Sequence, residues 1–511
     1  MKRTKAMFYN LLLMTAVSLV MRFVSLGFNV YVTGRIGAGG IGLYSLIMSV
    51  GGFAITFATS GINLASTRMT AEAIGKGNET DIRHIMLRCI IYSLCFGCVA
   101  MILLYSFSGP VSRYLLCDER CVMPLRLLSF ALPFISLSSA LSGYFTAVRR
   151  VYKSSLVQLG EQIVTIAVTV RLLAVLLPKG AAYACAALIG GTVISECAAF
   201  FISYLMYKYD LKRHIEKGRP VEKNLAKKLL SISLPIAFSA YVRSALVSVE
   251  HMLIPAGLRK FGASNDNALV SYGTLQGMVM PIVLFPMAIM SAFAGLLVPE
   301  IAQSLAAGEN KRVDSIVERV FQTALSFSIG VSGIMICFSG ELGRMIYNSL
   351  DAGVFIRIMA PLIPVMYLDH VVDGMLKGMG EQIYSMRVNI FDASLSVVLV
   401  YLLVPIWGVY GYVVVIFIME VINASLSVVR LFKRCNAGVK IIKWLIKPLF
   451  CIVFSTVIVK LIINTRIFMG VKTKAVGIIG IIMTALIYFL LLLMTRAITG
   501  KDIKWLKSAI K

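Results

Sequence analysis

The chain has 511 residues, of which 59% are hydrophobic and only 14% charged, with a mean hydropathy of +0.86. No soluble core of that length hides so much apolar side chain, so lipid is the solvent for most of the chain and a soluble globular protein is excluded. The formal net charge of +26 sits in short loops between apolar runs and not on one basic domain, which argues against nucleic acid as a partner and for anionic lipid headgroups.

Taken in chain order, Lys2, Arg3 and Lys5 precede an apolar stretch and imitate a signal peptide. The stretch runs past Val32 without a small-residue cleavage site and reads as an uncleaved first span. A membrane-spanning helix needs about 20 apolar residues. Such stretches lie near 9–33, 40–62, 85–108, 122–147, 155–177, 182–207, 231–257, 269–298, 320–340, 354–377, 388–405, 408–431, 445–464 and 475–495. The expected fold class is an all-α polytopic membrane protein of about fourteen transmembrane helices, with broken segments near Pro281, Pro286, Pro361 and Pro364. After the last span, Ile503, Leu506 and Ile510 share a helical face among lysines, the pattern of a short interfacial helix.

With the N-terminus in the cytosol, the cytosolic segments hold 34 of the 50 Lys and Arg and the outer loops about 12. That excess satisfies the positive-inside rule, and an even number of spans returns the C-terminus to the cytosol. The expected location is the inner (cytoplasmic) membrane, multi-pass, with both termini cytosolic. Ten cysteines are scattered, mostly inside apolar runs, with no metal-ligand spacing; Cys117 and Cys121 share one outer loop and are the pair within reach of a bridge.

Shifting the sequence by 231 residues superposes several landmarks. Arg126, Pro133 and Gly143 fall on Arg357, Pro364 and Gly374, and Gln158 and Glu161 fall on Asn389 and Asp392. Near the starts of the two halves the offset is 221, so that Arg22 and Asn29 fall on Arg243 and Glu250. Spans 1–6 and 7–12 are thus two copies of a six-helix unit. Six is even, so the copies enter the membrane the same way round, as parallel repeats expected to enclose a central cavity. Spans 13 and 14 are additional. The domains read as residues 1–210, a six-helix lobe; 211–230, a basic cytosolic linker; 231–434, the second lobe; and 435–511, two extra helices with a tail.

An ionisable side chain at mid-bilayer costs at least about 2.5–3.5 kcal/mol on insertion scales and so demands a reason. Arg22 and Arg243 occupy equivalent mid-span positions, with Asn29 and Glu250 two helical turns further on. One reading has both arginines hold an anionic group such as a diphosphate by charge-assisted bonds, with Asn29 and Glu250 completing the cavity. The other has Arg243 neutralise Glu250 or snorkel. Gln158 and Glu161, with Asn389 and Asp392, form a matched pair that lines either an inner gate or a helix–helix contact. Glu196 and Glu420 lie in spans 6 and 12. Asp369 and Asp373 in span 10 are candidates to carry H⁺ or Na⁺. No cofactor and no metal centre is expected beyond such a coupling ion. Gly37-Ala-Gly39-Gly40-Ile-Gly42 mimics a dinucleotide fingerprint but joins two spans, so it reads as a turn. The spacings Gly273/Gly277 and Gly374/Gly378 read as close helix packing. There is no P-loop, so any pumping is expected to run on gradients or membrane potential.

Arg22-Phe-Val-Ser-Leu-Gly-Phe, followed by Arg35-Ile-Gly-Ala-Gly-Gly-Ile-Gly-Leu-Tyr, resembles the first-helix signature of the multidrug/oligosaccharidyl-lipid/polysaccharide exporter superfamily. Within it, Leu141-Ser-Gly-Tyr-Phe-Thr-Ala, Gln158-Leu-Gly-Glu-Gln and Leu297-Val-Pro-Glu-Ile-Ala resemble the polysaccharide flippase branch of stage V sporulation protein B. The resemblance covers spans 1–12. It implies a flippase for undecaprenyl-diphosphate-linked oligosaccharide or a lipid II-like peptidoglycan precursor, in spore cortex or cell-wall synthesis. Partners are then the lipid-linked substrate and membrane lipids, with the protein acting as a monomer. Lipid II flippases carry several cavity arginines; here Arg22 and Arg243 fit that role, and Asn29 stands near where another is expected. The alternative within the superfamily is an H⁺- or Na⁺-coupled multidrug or metabolite antiporter. A membrane glycosyltransferase needs a sizeable outer loop with acid and base residues, and the outer loops here are all under about 20 residues.

Overall fold

The computed structural model describes residues 2–75, 79–211, 224–464 and 473–497. Among them every regular element is helical. The first repeat comprises α1 (Lys2–Thr59), α2 (Ile62–Gly75), α3 (Glu79–Pro110), α4 (Val122–Ser129), α5 (Leu132–Ala147), α6 (Val151–Leu176) and α7 (Ala181–Leu211). The second comprises α8 (Leu225–Lys260), α9 (Asn265–Gly273), α10 (Met280–Leu284), α11 (Met287–Ala306), α12 (Asn310–Cys337), α13 (Ser339–Tyr347), α14 (Leu350–Met359), α15 (Ile363–Gly378) and α16 (Gln382–Arg434). Then come α17 (Lys447–Ile463) and α18 (Thr473–Met494).

Twelve helices among the described residues are long and apolar enough to cross a membrane, thirteen with the bent pair Glu119–Ser129 and Leu132–Ala147. These numbers meet the fourteen expected spans because α1 and α16 each carry two. Each bends at one glycine in non-helical backbone, Gly37 (φ 73°, ψ 176°) and Gly408 (φ 60°, ψ −139°), conformations open to a residue without Cβ. Gly37 opens the expected turn between spans 1 and 2. Conversely, the eighth span is divided at Phe285 and Pro286, where proline removes a backbone donor. The interfacial helix expected over 501–511 and most of the basic linker lie outside the described residues.

The chain forms two compact units: Met1–Phe28 with Arg35–Val270, and Asn29–Gly34 with Ser271–Lys511. This division differs from the repeat boundary, since α8, the first helix of the second repeat, belongs to the first unit. In that unit α2, α3, α5 and α7 enclose a core of Ile62, Met69, Met86, Leu141, Tyr144 and Phe145. Hydroxyls fasten α2 to α5: Ser66 Oγ donates to Ala140 O (2.9 Å) and Thr67 Oγ1 to Gly143 O (3.1 Å). In lipid, where helices gain little from hydrophobic burial against one another, close packing and such bonds carry association. A Cβ on Gly143 would lie 2.5 Å from Asn63 O.

The second unit repeats the device. Gly374 and Gly378 of α15 press on α11, where added Cβ atoms would lie 3.0 Å from Ala294 Cβ and 2.9 Å from Val298 O. Gly374 is the repeat partner of Gly143, so the two copies use the same contact. Both also start the helix after the break with proline near its N-terminus, Pro133 and Pro364.

The helices α5 and α15 end alike, in a Schellman motif. In the first repeat the Arg149 amide bonds Thr146 O (3.1 Å) and the Arg150 amide bonds Phe145 O (2.9 Å). In the second, the Gly380 amide bonds Lys377 O (3.2 Å) and the Glu381 amide bonds Leu376 O (2.9 Å). The motif requires left-handed backbone, met by Gly380 at φ 80° and by Arg149 at φ 58°. For a residue with a Cβ that conformation costs about 1–2 kcal/mol.

Candidate substrate and coupling sites

Arg22 lies on α1 before its bend and Arg243 in the middle of α8; both side chains are exposed and both fall in the first unit. Neither makes an ion pair among the described residues. Glu250 is half-buried on the same helix as Arg243. A separation of two turns is about 10.5 Å along the axis, too far for direct neutralisation. Asn29 belongs to the second unit, where its Oδ1 accepts from the Tyr347 hydroxyl at 2.8 Å. Its carbonyl oxygen is thus engaged at the end of α13.

The intramembrane carboxylates gather into two groups, one per repeat. In the first unit Glu161 of α6 and Glu196 of α7 lie within electrostatic reach of each other. Gln158, one turn away, is exposed. In the second unit Glu420 of α16 lies within reach of Asp369 of α15 and of Asp392. Asp369 Oδ2 accepts from Asn423 Nδ2 (3.1 Å), and the Ser427 hydroxyl lies close to the same carboxylate. Asn389 turns back on its own helix, donating to Ser385 O at 2.8 Å. Asp373 pairs with Lys377 at 2.6 Å, one turn along α15. The structure therefore draws Asp369, Asp392 and Glu420 together and gives Asp373 and Asn389 local partners. Asn423 and Ser427 escaped the sequence reading. They follow Glu420 by three and seven residues and so share its helix face, a spacing that could have flagged them. No group of three or more His, Cys, Asp or Glu among the described residues is arranged to hold a metal ion.

Two charged joints outside the membrane segments fix loops. Asp118, with a side chain 4% exposed, accepts from the backbone amide, Nε and Nη2 of Arg120 and from Asn265 Nδ2 (3.2 Å). Arg120 also reaches Asp266 at 3.0 Å, tying the loop after α3 to the start of α9. Burial alone would push the Asp118 carboxyl up, but the bonds and charge of Arg120, with Asn265, outweigh it and hold it below the usual carboxylate range. Arg430, with Arg434, likewise holds Glu381 low. Cys117 and Cys121 in the first of these loops are free thiols, one exposed and one buried.

The profile of the family described as "Polysaccharide biosynthesis protein" matches residues 8–305, and that of the MatE family matches residues 235–402. Stage V sporulation protein B of Bacillus subtilis (strain 168) is 25% identical over 501 residues, covering 96% of each chain. The probable multidrug resistance protein YoeA of the same organism is 25% identical over 279 residues, 51% of this chain and 55% of its own. Among solved structures, the lipid II flippase MurJ in an inward closed conformation superposes with a TM-score of 0.71 at 13% identity, over 94% of this chain and 97% of that one. An inward-facing multidrug resistance MATE transporter of the MOP superfamily gives a TM-score of 0.64 at 14% identity, over 82% of this chain and 98% of its own. These likenesses establish the fold as that of all-α polytopic membrane transporters, and the profile match across more than half of the chain establishes the lineage: the chain belongs to the polysaccharide biosynthesis protein family.

Proposed function

We infer that the protein is a flippase that carries an undecaprenyl-diphosphate-linked oligosaccharide, or a lipid II-like peptidoglycan precursor, across the cytoplasmic membrane by alternating access. The observation that carries this reading is the relationship to stage V sporulation protein B along 96% of both chains, joined to two intramembrane arginines at repeat-equivalent positions that make no ion pair among the described residues. Arg22 and Arg243 hold the diphosphate. Guanidinium suits that task because its planar fork binds phosphate oxygens in pairs and is weakly hydrated. The basic loops and both termini face the cytosol, so the substrate is loaded from the inner leaflet. The protein works as a monomer, in cell-wall or spore-cortex synthesis, and performs no covalent chemistry on its substrate.

Flipping of fluorescent undecaprenyl-diphosphate oligosaccharide in proteoliposomes tests the reading, with Arg22→Ala and Arg243→Ala alongside. Transport by the wild type that falls at least tenfold in each variant supports it. A second reading is favoured by the MatE profile over 235–402 and by the carboxylates around Asp369: an antiporter exchanging H⁺ or Na⁺ for a soluble organic cation. Uptake of such a cation driven by either gradient, with no movement of lipid-linked sugar, would decide for the antiporter.

A further inference from the structure

A cavity of about 480 Å³ opens in the first unit where α2, α5 and α7 end and α3 begins. All four termini belong to one membrane face, the one rich in basic loops. Ile74, Ile82, Val148 and Leu211 form an apolar wall, and Arg149 and Arg150 supply the charge. Ile74 is 39% exposed, so apolar surface reaches the rim.

The two arginines have different employment. Arg150 bonds Asp210 at 2.7 Å, and Lys153 reaches the same oxygen, which fastens the start of α6 to the end of α7. Arg149 is exposed and makes no ion pair among the described residues. Its backbone needs no arginine either. The second repeat builds the same helix end with Gly380 at the equivalent position, so the fold is served better by glycine. A long cation kept where the left-handed conformation disfavours it, lining a cavity and without an ion pair among the described residues, marks a side chain retained for something it binds.

We propose that Arg149 anchors a binding site for the phosphate of an anionic phospholipid from the leaflet on the basic side of the membrane. The guanidinium takes the phosphate oxygens, and the apolar wall takes the glycerol backbone and first methylenes. The depth fits, because the cavity sits at helix ends where headgroups meet the chain. The opposite charge at the matching joint of the second repeat, Glu381, gives such a lipid no equivalent site there. The naming of the leaflet as the inner one rests on the orientation proposed above; the chemistry does not.

The test is lipid binding by the full-length protein, read by native mass spectrometry and by thermal unfolding in detergent, with phosphatidylglycerol, phosphatidylcholine or inorganic phosphate added. The wild type should retain phosphatidylglycerol in preference to phosphatidylcholine. Arg149→Gly should match or exceed the wild-type Tm without lipid, since it relieves the backbone, yet lose roughly tenfold or more in phosphatidylglycerol affinity. Arg149→Lys should keep most of the binding. Unchanged phosphatidylglycerol affinity in Arg149→Gly would overturn the proposal. So would a lipid-free Tm below wild type in that variant, which would make the role structural. Stabilisation by inorganic phosphate alone, with nothing added by lipid, would refute the lipid as ligand. No arm requires transport, so the outcome stands apart from that of the flippase reading.

Discussion

Asp118 is a carboxylate that has left water almost entirely and is compensated by Arg120 on one side and Asn265 on the other. Removing half of such an arrangement leaves a buried group unsatisfied, which costs more than the arrangement contributed. Asp118→Asn should lower stability at pH 7 by about 2 kcal/mol, a figure discounted because Arg120 remains 37% exposed and water screens that end. The pH dependence has a definite sign. The folded carboxyl titrates below its unfolded value of about 3.9, so its stabilisation is complete above that value and is lost as pH falls through the lower folded one. Thermal unfolding in detergent should therefore show a wild-type advantage over Asp118→Asn that is constant from pH 7 to 5 and shrinks below about pH 4. An advantage that grows on acidification would contradict the assignment.

At the scale of elements, small residues decide which helices touch. Gly143→Ala would place a methyl 2.5 Å from a backbone oxygen of α2, and Gly378→Ala one 2.9 Å from a backbone oxygen of α11. Neither oxygen can rotate away, so each variant should lose about 1–3 kcal/mol. Gly27→Ala, with nothing within 4 Å, should be neutral or slightly better in the same unfolding assay. The repeat itself was legible in the sequence because Pro133/Pro364 and Gly143/Gly374 are identities at a fixed offset. The joint just past the end of that helix was not. There the copies keep the bond and invert its polarity: Arg150 and Lys153 hold Asp210 in one, while Glu381 holds Arg430 and Arg434 in the other. A search for matching residues passes over matching contacts of opposite charge. The candidate site divides in the same way. Arg22 and Arg243 stand out because charge in an apolar run is expensive, whereas Asn423 and Ser427 are ordinary residues of a membrane helix until α15 packs against α16 and brings Asp369 to them.

For the whole molecule the question is what drives a polyanionic headgroup one way. With the basic face in the cytosol, an inside-negative potential favours outward movement of an anion, by about 2.3 kcal/mol per charge for 100 mV across the full field. Two diphosphate charges crossing that field would gain roughly 4.6 kcal/mol, a bias of more than a thousandfold. On the proposed mechanism loading would need no ion, and a coupling ion would matter for the return of the empty carrier. The carboxylates suit that step. Asp369, Asp392 and Glu420 lie within electrostatic reach of one another, so on that proposal a proton that joins them relieves repulsion in the conformation that gathers them. Two kinds of defect are therefore separable. A diffusion potential negative on the substrate side should accelerate single-turnover flipping, in wild type and Asp369→Asn alike. Multiple turnover should fall in Asp369→Asn and Glu420→Gln, and lose its dependence on the pH gradient, because only the return limb uses it. If both variants instead lose the first turnover while keeping ion dependence, the acidic group belongs to substrate binding, and the reset must be sought at Glu161 and Glu196.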